Sequence, residues 1–350
     1  MEQVGTHRVK CSKWKGIYKN KGTVIIEMSR YALIIVNWNS WDLLSRCLEK
    51  LRAQTFQDFS VLVIDNASEE LAPPGLFDSC SNVTLVRNRS NVGFAAANNQ
   101  AFALLRDTEW VVLLNPDAFP EPNWMQRLIE AAEENPGFSM FASRQLMEGD
   151  RQLLDGDGDA YHISGLVWRE GHGCKQSETT HKSQEVFSPC AAAGLYRRDA
   201  FISAGGFDED FFCYVEDVEL GFRMRLMGHR CLLVPGAVVY HMGSATSGGQ
   251  QSDFAVYHGH RNLVWMYVKN MPDWLFWACL PLHLAMNLAT VGVFILRGQG
   301  RVILSAKYDA LLGLPKMWRK RQQIQKRRLV SVGEIWRVMD KRLLPKMRHG

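Results

Sequence analysis

Three apolar runs that each stop at a cluster of carboxylates and amides constrain this chain more than any other feature. Tyr31 to Val36 ends at Asn37-Trp38-Asn39-Ser40, the run through Val61 to Ile64 ends at Asp65-Asn66, and Val111 to Leu114 ends at Asn115-Pro116-Asp117. Apolar runs bounded by turn residues fit strands buried on both faces, as in a parallel sheet. Helical patterns lie between them. Leu43, Leu44, Cys47, Leu48 and Leu51 recur at helical spacing behind a Ser40 N-cap, and Asn91 to Asn99 opens a helix running to about Arg106, after a short strand at Val83 to Val86. This alternation predicts an α/β fold with a doubly wound, mostly parallel sheet flanked by helices. The three polar clusters then share one edge, where open α/β sheets bind ligands.

Asp117 at that edge suits a hard divalent cation that bridges to phosphate oxygens. Asp65 is placed to accept from a ribose hydroxyl or a base N–H, and Asn37 to contact the base. The small residues from Gly93 to Ala97 let a helix approach a nucleotide closely. Plainer readings stand beside these: Asn115-Pro116-Asp117 is also a turn, Asp65-Asn66 also a helix cap or Asx turn, and the alanines also tight helix–sheet packing. No G-x-G-x-x-G and no G-x-x-x-x-G-K-[ST] occurs, so dinucleotide and P-loop sites lack sequence support.

A helix is expected at about Trp124 to Glu134. The region from Glu148 to Glu185, rich in Gly, Asp and His, reads as acceptor-facing loops and short strands. Glu216 and Asp217 open a further helix, with Leu220, Met224 and Met227 on one side and Arg223, Arg225 and Arg230 on the other. Two adjacent acids behind an aromatic-rich loop offer a general-base pocket, although a carboxylate at a helix N-terminus also compensates the dipole. Cys231 to Val234 and Val238 to Tyr240 predict two more strands. The second delivers His241, either a core histidine or an extra ligand beside a carboxylate-held cation. His258, His260 and Arg261 follow on a helix from which Arg261 would reach a phosphate.

Taken in order, Asn37-Trp38-Asn39, Ile64-Asp65-Asn66-Ala67-Ser68, Asn91-Val92-Gly93-Phe94, Leu114-Asn115-Pro116-Asp117, Gly206-Phe207-Asp208-Glu209 and Tyr214-Val215-Glu216-Asp217-Val218-Glu219-Leu220 resemble family 2 glycosyltransferases, above all the rhamnosyltransferase-like branch. The resemblance covers roughly Tyr31 to Lys269. It implies a GT-A fold, a nucleotide-diphosphate sugar donor, Mg²⁺ or Mn²⁺, and inversion at the anomeric carbon. By that similarity Asp65 matches the nucleotide-binding acid, Asp117 the last acid of the D-x-D metal motif, and Asp217, with Glu216 beside it, the catalytic base. Asn39, Asn66, Asn91, Gly93, Asn99 and Asn115 join Asn37, Asp65, Asp117 and Arg261 as the expected donor-binding set, and Asp117 with His241 as the metal ligands. The chain departs from the pattern where Asn115 replaces the first D-x-D acid, a neutral and weaker ligand.

Charge is unevenly spread. The 54 residues from Arg297 to Gly350 hold 15 Lys or Arg against 3 Asp or Glu, a tail of +12, whereas Tyr31 to Leu296 carries −12. Just before the tail, Trp274 to Leu296 has no formal charge across 23 residues, long enough as a helix to span a bilayer at ~1.5 Å per residue. A single crossing would put the body and the basic tail on opposite sides, so a re-entrant or in-plane hairpin fits better. The tail would then meet anionic lipid at the inner face of the cell membrane, making the protein peripheral or monotopic on the cytoplasmic side. A buried core helix and a nucleic-acid-binding arm are the competing readings, the second opposed by the acidic body and the lack of an RNA or DNA motif. The expected organisation is a disordered basic arm at 1–30, a GT-A domain at 31–270, and an apolar membrane-associating segment with a polybasic tail at 271–350.

Eight cysteines without C-x-x-C pairs fit buried free thiols in a reducing compartment. The function these features imply is sugar transfer to a hydroxyl of a glycan or lipid-linked acceptor in cell-surface polysaccharide assembly, with no nucleic-acid partner. A non-catalytic nucleotide-sugar-binding scaffold and a nucleotidyltransferase of similar fold are the alternatives.

Overall fold

The computed structural model describes residues 17–20, 23–26, 29–78, 82–243 and 252–342. Within the expected N-terminal arm, Ile17–Asn20 (β1) pairs antiparallel with Thr23–Ile26 (β2); the rest of residues 1–28 and the tail beyond 342 lie outside the described residues. The first half then alternates as its periodicity predicts: Tyr31–Asn37 (β3), Trp41–Arg52 (α1), Ser60–Asp65 (β4), Val83–Arg87 (β5), Phe94–Leu104 (α2), Trp110–Leu114 (β6), Ala118–Pro120 (β7) and Trp124–Glu134 (α3). Next come Met140–Met147 (β8), Leu154–Gly156 (β9), Asp159–Tyr161 (β10), Val167–Arg169 (β11), Gln184–Val186 (β12), Ala193–Arg197 (β13) and Arg198–Ser203 (α4). The chain continues through Glu216–Leu226 (α5), Cys231–His241 (β14), Asp253–Asn270 (α6), Asp273–Leu296 (α7), Gly300–Lys326 (α8) and Val332–Val338 (α9).

The main sheet runs β12-β14-β8-β13-β6-β3-β4-β5. β5, β4, β3 and β6 are mutually parallel, and β13 enters antiparallel between β6 and β8. Period-2 alternation sends Leu33, Ile35, Val61 and Val63 into a core with α1 and α3, and Ala32, Ile34, Leu62 and Ile64 into a second core with α2, α4 and α5. Each such side chain contributes roughly 1.5–3 kcal/mol by leaving water, and both faces are filled, so the strands read as unbroken apolar runs.

One local expectation is corrected. Cys231–Val234 and Val238–Tyr240 are one strand, β14, whose register with parallel β8 shifts between Val234 and Val238, so that Pro235-Gly236 forms an irregularity rather than a break. The arginines of α5 are paired inside the protein: Arg223 pairs with Glu219 and donates to the Gly206 carbonyl at 2.6 Å, while Arg225 donates to the Phe187 carbonyl at 2.5 Å and to Glu185. Guanidinium donors paired inside the protein make buried arginine tolerable.

The C-terminal helices form a third core with α5, through Phe211, Val218, Phe222, Trp265, Tyr267, Leu275, Phe276 and Met317. Gly313 lets α8 approach α6, since an added Cβ would lie 2.5 Å from Trp265 Nε1, which donates to the Ala310 carbonyl at 3.0 Å. α7 is the apolar segment expected at 274–296. It is docked at Leu275, Phe276, Cys279 and His283, but only 11% of its most apolar stretch is buried. Of the six described cysteines, Cys47, Cys190, Cys231 and Cys279 are buried thiols.

Trp124 is fully enclosed under the sheet, its Nε1 donating to Ser143 Oγ at 2.8 Å. Trp124→Ala is expected to lower unfolding stability by about 3–5 kcal/mol through the cavity it leaves. Urea titration followed by circular dichroism checks this.

Candidate active site

A cleft of about 850 Å³ opens along the C-terminal ends of β3, β4 and β6, where the three polar clusters emerge. Parallel pairing sets Asn37 beside Asp65 and brings both next to Asn115 and Asp117 at one edge. Asn66, Asn91, Gly93, Asn115, Asp117, Glu216, Asp217 and His241 all line the cleft. Asn66 fixes one wall, donating to Asn91 Oδ1 at 2.8 Å and accepting from Val92 N and Asn88 Nδ2.

Five residues of the expected donor set do not line it. Asp65 is fully buried, its Oδ1 accepting from Ser68 Oγ at 2.5 Å and its Oδ2 3.3 Å from Arg87 Nε. Asn37, equally buried, accepts from Ser40 Oγ and donates to Ser68 Oγ. Asn39 spends its backbone N–H on Ser68 and its side-chain oxygen on Glu69 N. These three brace the strand ends from beneath, while Trp38, Ser40 and Asn66 reach the cleft. Asn99 holds the Gly206-Phe207 turn, accepting from Phe207 N and donating to the Phe207 carbonyl. Arg261 donates to the Asp210 and Phe211 carbonyls and lies over the Trp265 ring. Its turn on α6 points the guanidinium at the 210–211 loop, and Gly259 and His260 face the cleft instead.

Asp117 and His241 meet as expected, with Nε2 of His241 3.4 Å from Asp117 Oδ1. That nitrogen is buried and makes no hydrogen bond of good geometry. The other ring nitrogen, Nδ1, lies 2.7 Å from Asp155 Oδ2, and Asp155 in turn pairs with Arg169. A carboxylate holding one imidazole nitrogen fixes which nitrogen is presented on the far side, the usual support of a metal-binding histidine. Burial opposes protonation of His241, but the Asp117 and Asp155 carboxylates beside its ring outweigh it and raise its pKa. Burial likewise pushes Asp155 up, yet Arg169 and His241 hold it down at about 2. The donor set fits a hard divalent cation through Asp117 and His241. No group of three His, Cys, Asp or Glu is gathered for a metal among the described residues, so diphosphate oxygens would have to complete the shell.

Asp217 sits across the cleft at the start of α5, its carboxylate accepting from Ala191 N at 3.0 Å and Val218 N at 2.9 Å. The loop before it is strained: Phe212, Tyr214 and Val215 all have positive φ (62°, 67° and 69°), at a cost of order 1–3 kcal/mol each. Asn262, fully buried on α6, holds this shape by donating from one amide nitrogen toward the Phe211, Cys213 and Tyr214 carbonyls at 2.9, 3.0 and 2.8 Å. Gly93 is required on the opposite side: at φ 86°, an added Cβ would lie 2.6 Å from the Phe212 ring. Glu216 and Asp159 are buried carboxyls beside Asp217; burial first, and Asp217 second, raises both well above the usual range.

Sequence reasoning missed Asp155, Asp159, Arg169 and Asn262. The first three lie in the Gly/Asp-rich stretch whose weak periodicity gave no register, and Asn262 looks like one polar residue on a long helix. Arg169 is nonetheless the only Lys or Arg that lines the cleft among the described residues.

This sheet, with its carboxylate edge and an acid pair opposite, defines a GT-A glycosyltransferase fold. It is shared with solved structures of GalNAc-T7 with UDP, GalNAc and Mn²⁺ (TM-score 0.56, 16% identity, covering 69% of this chain and 48% of that one) and of a mannosyltransferase from Pyrobaculum calidifontis with GDP-Man and Mn²⁺ (TM-score 0.52, 18% identity, 86% and 85%). Residues 32–203 match the family model Glycosyl transferase family 2. The chain is also 28% identical over 257 residues to the N-acetylglucosaminyl-diphospho-decaprenol L-rhamnosyltransferase of Mycobacterium tuberculosis, covering 65% of this chain and 80% of that relative. It is 28% identical over 215 residues to the O-antigen biosynthesis protein RfbC of Myxococcus xanthus, covering 59% of this chain and 16% of that one. Residues 32–203 thus form a family 2 glycosyltransferase domain, and the chain around them is similar in sequence to a rhamnosyltransferase.

Two outcomes are expected. Asn262→Ala removes two N–H donors shared among three carbonyls, at about 1 kcal/mol for each donor; it should lower the urea midpoint and slow transfer together, because the loop before Asp217 relaxes. Glu216 keeps its proton when folded, whereas the unfolded chain loses it as pH rises past 4.5, so the stability from this group is complete below that pH and erodes above it. Glu216→Gln, neutral throughout, should raise the melting temperature at pH 8 and lose that advantage toward pH 4. Melts across the pH range read this directly, and a pH-independent gain would mean that Glu216 is ionised in the fold.

Proposed function

We propose that the protein transfers a sugar, with inversion, from a nucleotide-diphosphate donor to a hydroxyl of a lipid-linked glycan during cell-surface polysaccharide assembly at the inner face of the cell membrane. The observation that carries this reading is the single cleft lined on one side by Asp117 and His241 and on the other by Asp217. The relatives named above support the acceptor class, and the M. tuberculosis protein supports rhamnose as the sugar.

The donor diphosphate lies along the sheet edge among Asn66, Asn91 and Asn115, with Asp65 and Asn37 stiffening that edge from below. Asp217 takes the proton from the acceptor hydroxyl as that oxygen attacks C1. The bond from C1 to the diphosphate breaks on the opposite face, and the nucleoside diphosphate departs with the electron pair. One base and one charge sink on opposite sides of the sugar make a single displacement, which inverts the anomeric centre. Mg²⁺ or Mn²⁺ held by Asp117 and His241 would supply the charge neutralisation for that leaving group. Asp155 orients His241, and Arg169 holds Asp155.

Membrane attachment falls to the exposed apolar residues of α7 and α8, with the basic residues of α8 toward anionic head groups. Carbonate washing of membranes tests it: the protein should resist release by salt, and a protein found wholly in the soluble fraction would contradict the attachment.

Asp217→Asn should abolish transfer while nucleotide affinity stays within a few-fold. Loss of both would give Asp217 a folding or donor-binding role instead. Asp117→Ala should weaken donor binding in Mn²⁺ but change it little in chelator, by calorimetry. UDP-, dTDP- and GDP-sugars compared for thermal protection identify the donor base.

A further inference from the structure

The catalytic cleft is chemically two-sided. Its sheet edge is polar, whereas its far end is walled by Phe254, Val256, Gly259 and Leu263 of α6 and by Phe294 of α7. Phe294 belongs to the half of α7 that stands away from the body. Beyond His283 none of its residues is buried, and Leu288 and Leu296 are 74% and 89% exposed. The apolar end of the cleft is therefore continuous with the apolar surface of α7, which runs on to Leu304 and Tyr308 of α8.

Two cationic groups lie at this end, while the nearest carboxylates are held by other side chains, Asp253 by Gln299 and Asp309 by Tyr257. The Arg297 guanidinium sits over the Phe294 ring, 5.5 Å from its centroid, at the α7–α8 corner. Lys307 stands behind the wall, donating to the His260 carbonyl at 3.0 Å and to Asn287 Oδ1 at 2.6 Å, both neutral acceptors. No carboxylate pairs with Lys307 among the described residues, so its charge is left uncompensated beneath His260, a cleft-lining residue. Gly259 lies on the same wall, within a helix. Its backbone is ordinary and an added Cβ would meet nothing within 4 Å. The position is small although neither turn nor packing requires it, which leaves open volume in the cleft.

We propose that this apolar lobe, between α6 and the outer half of α7, binds the isoprenoid end of a lipid-diphosphate acceptor, with Arg297 meeting its diphosphate. This rests on the lipid-linked acceptor reading above and adds where that lipid lies. The chain of isoprene units runs out over the exposed face of α7 into the bilayer, the diphosphate stays at the interface beside Arg297, and the attached sugar extends inward to Asp217. A bound lipid of this kind converts the exposed hairpin from a general membrane anchor into part of the substrate site. Specificity for a lipid-linked acceptor over a free sugar then comes from Gly259, Phe294 and Arg297, which have no contact with the donor's end of the cleft. Lys307 strengthens the field from behind without touching the ligand.

The test is direct binding of farnesyl diphosphate to the full-length protein by calorimetry, in chelator so that no cation assists binding at the sheet edge. The wild type should bind farnesyl diphosphate at least tenfold more tightly than farnesol or inorganic diphosphate alone. Gly259→Leu, which fills the lobe, and Arg297→Glu should each weaken that binding at least tenfold. The same variants should bind UDP, dTDP or GDP in Mn²⁺, whichever gives the largest thermal shift, within twofold of wild type. Asp117→Ala should do the reverse, weakening the nucleotide and sparing farnesyl diphosphate. Gly259→Ala, an easily accommodated change, should fall between wild type and Gly259→Leu. Equal binding of inorganic diphosphate, no effect of the lobe variants, or loss of both ligands in them would overturn the proposal. The transferase reading fails separately, if wild-type protein neither transfers nor hydrolyses any nucleotide sugar.

Discussion

Strands β3, β4 and β6 are buried on both faces, so their carboxylates and amides can reach water only where the strands end. Parallel pairing makes those ends coincide, and the chemistry of the molecule gathers on that line. The polar groups are not equivalent once there. Asp65 and Asn37 are consumed by Ser68, Ser40 and Arg87 and serve as the scaffold of the edge, while Asn66, Asn115 and Asp117 face the cleft. With a neutral Asn115 in place of an acid, the metal in the proposed mechanism would fall to Asp117 and His241, and His241 is held from behind by Asp155.

The opposite wall depends on the C-terminal helices. Glu219 on α5 pairs with Arg223 and with Lys269 of α6, and Lys269 also pairs with Asp208, which accepts from Lys320 of α8 at 2.5 Å. Burial alone would raise the Asp208 carboxyl, but Lys269 and Lys320 hold it well below the usual range. Such buried networks are expensive to break from one side, because each partner would leave an uncompensated charge. With Asn262 clamping the strained loop, α6 and α8 become part of the catalytic geometry. α8 also carries exposed apolar residues beside those of α7.

Legibility in the sequence followed periodicity. The doubly wound half announced itself because continuous apolar runs alternated with helical spacing, and α3 fell on Trp124–Glu134 as its pattern predicts. Ordered motifs pointed to Asp117 and Asp217, and its place after a strand to His241; the three share a cleft. Spacing could not say which way a side chain turns: Arg261 and Asn99 look free on a helix yet are spent on backbone carbonyls. Nor could it see partners distant in the chain. For Arg223 and Arg225 the pattern gave only a side opposite Leu220 and Met224, because Glu185 and the carbonyls that accept from them become neighbours only on folding. Asp155 and Arg169 were hidden for the same reason, on strands of three residues too short to show a period.

The central claim is that one base, Asp217, acts across the sugar from a diphosphate held at the sheet edge. The anomeric configuration of the product reports on this most directly. Proton NMR of the first glycoside formed, before any spontaneous equilibration, should show the configuration opposite to that in the nucleotide donor. Retention of the donor's configuration would require a second displacement or front-side attack, and would contradict the geometry described for Asp217.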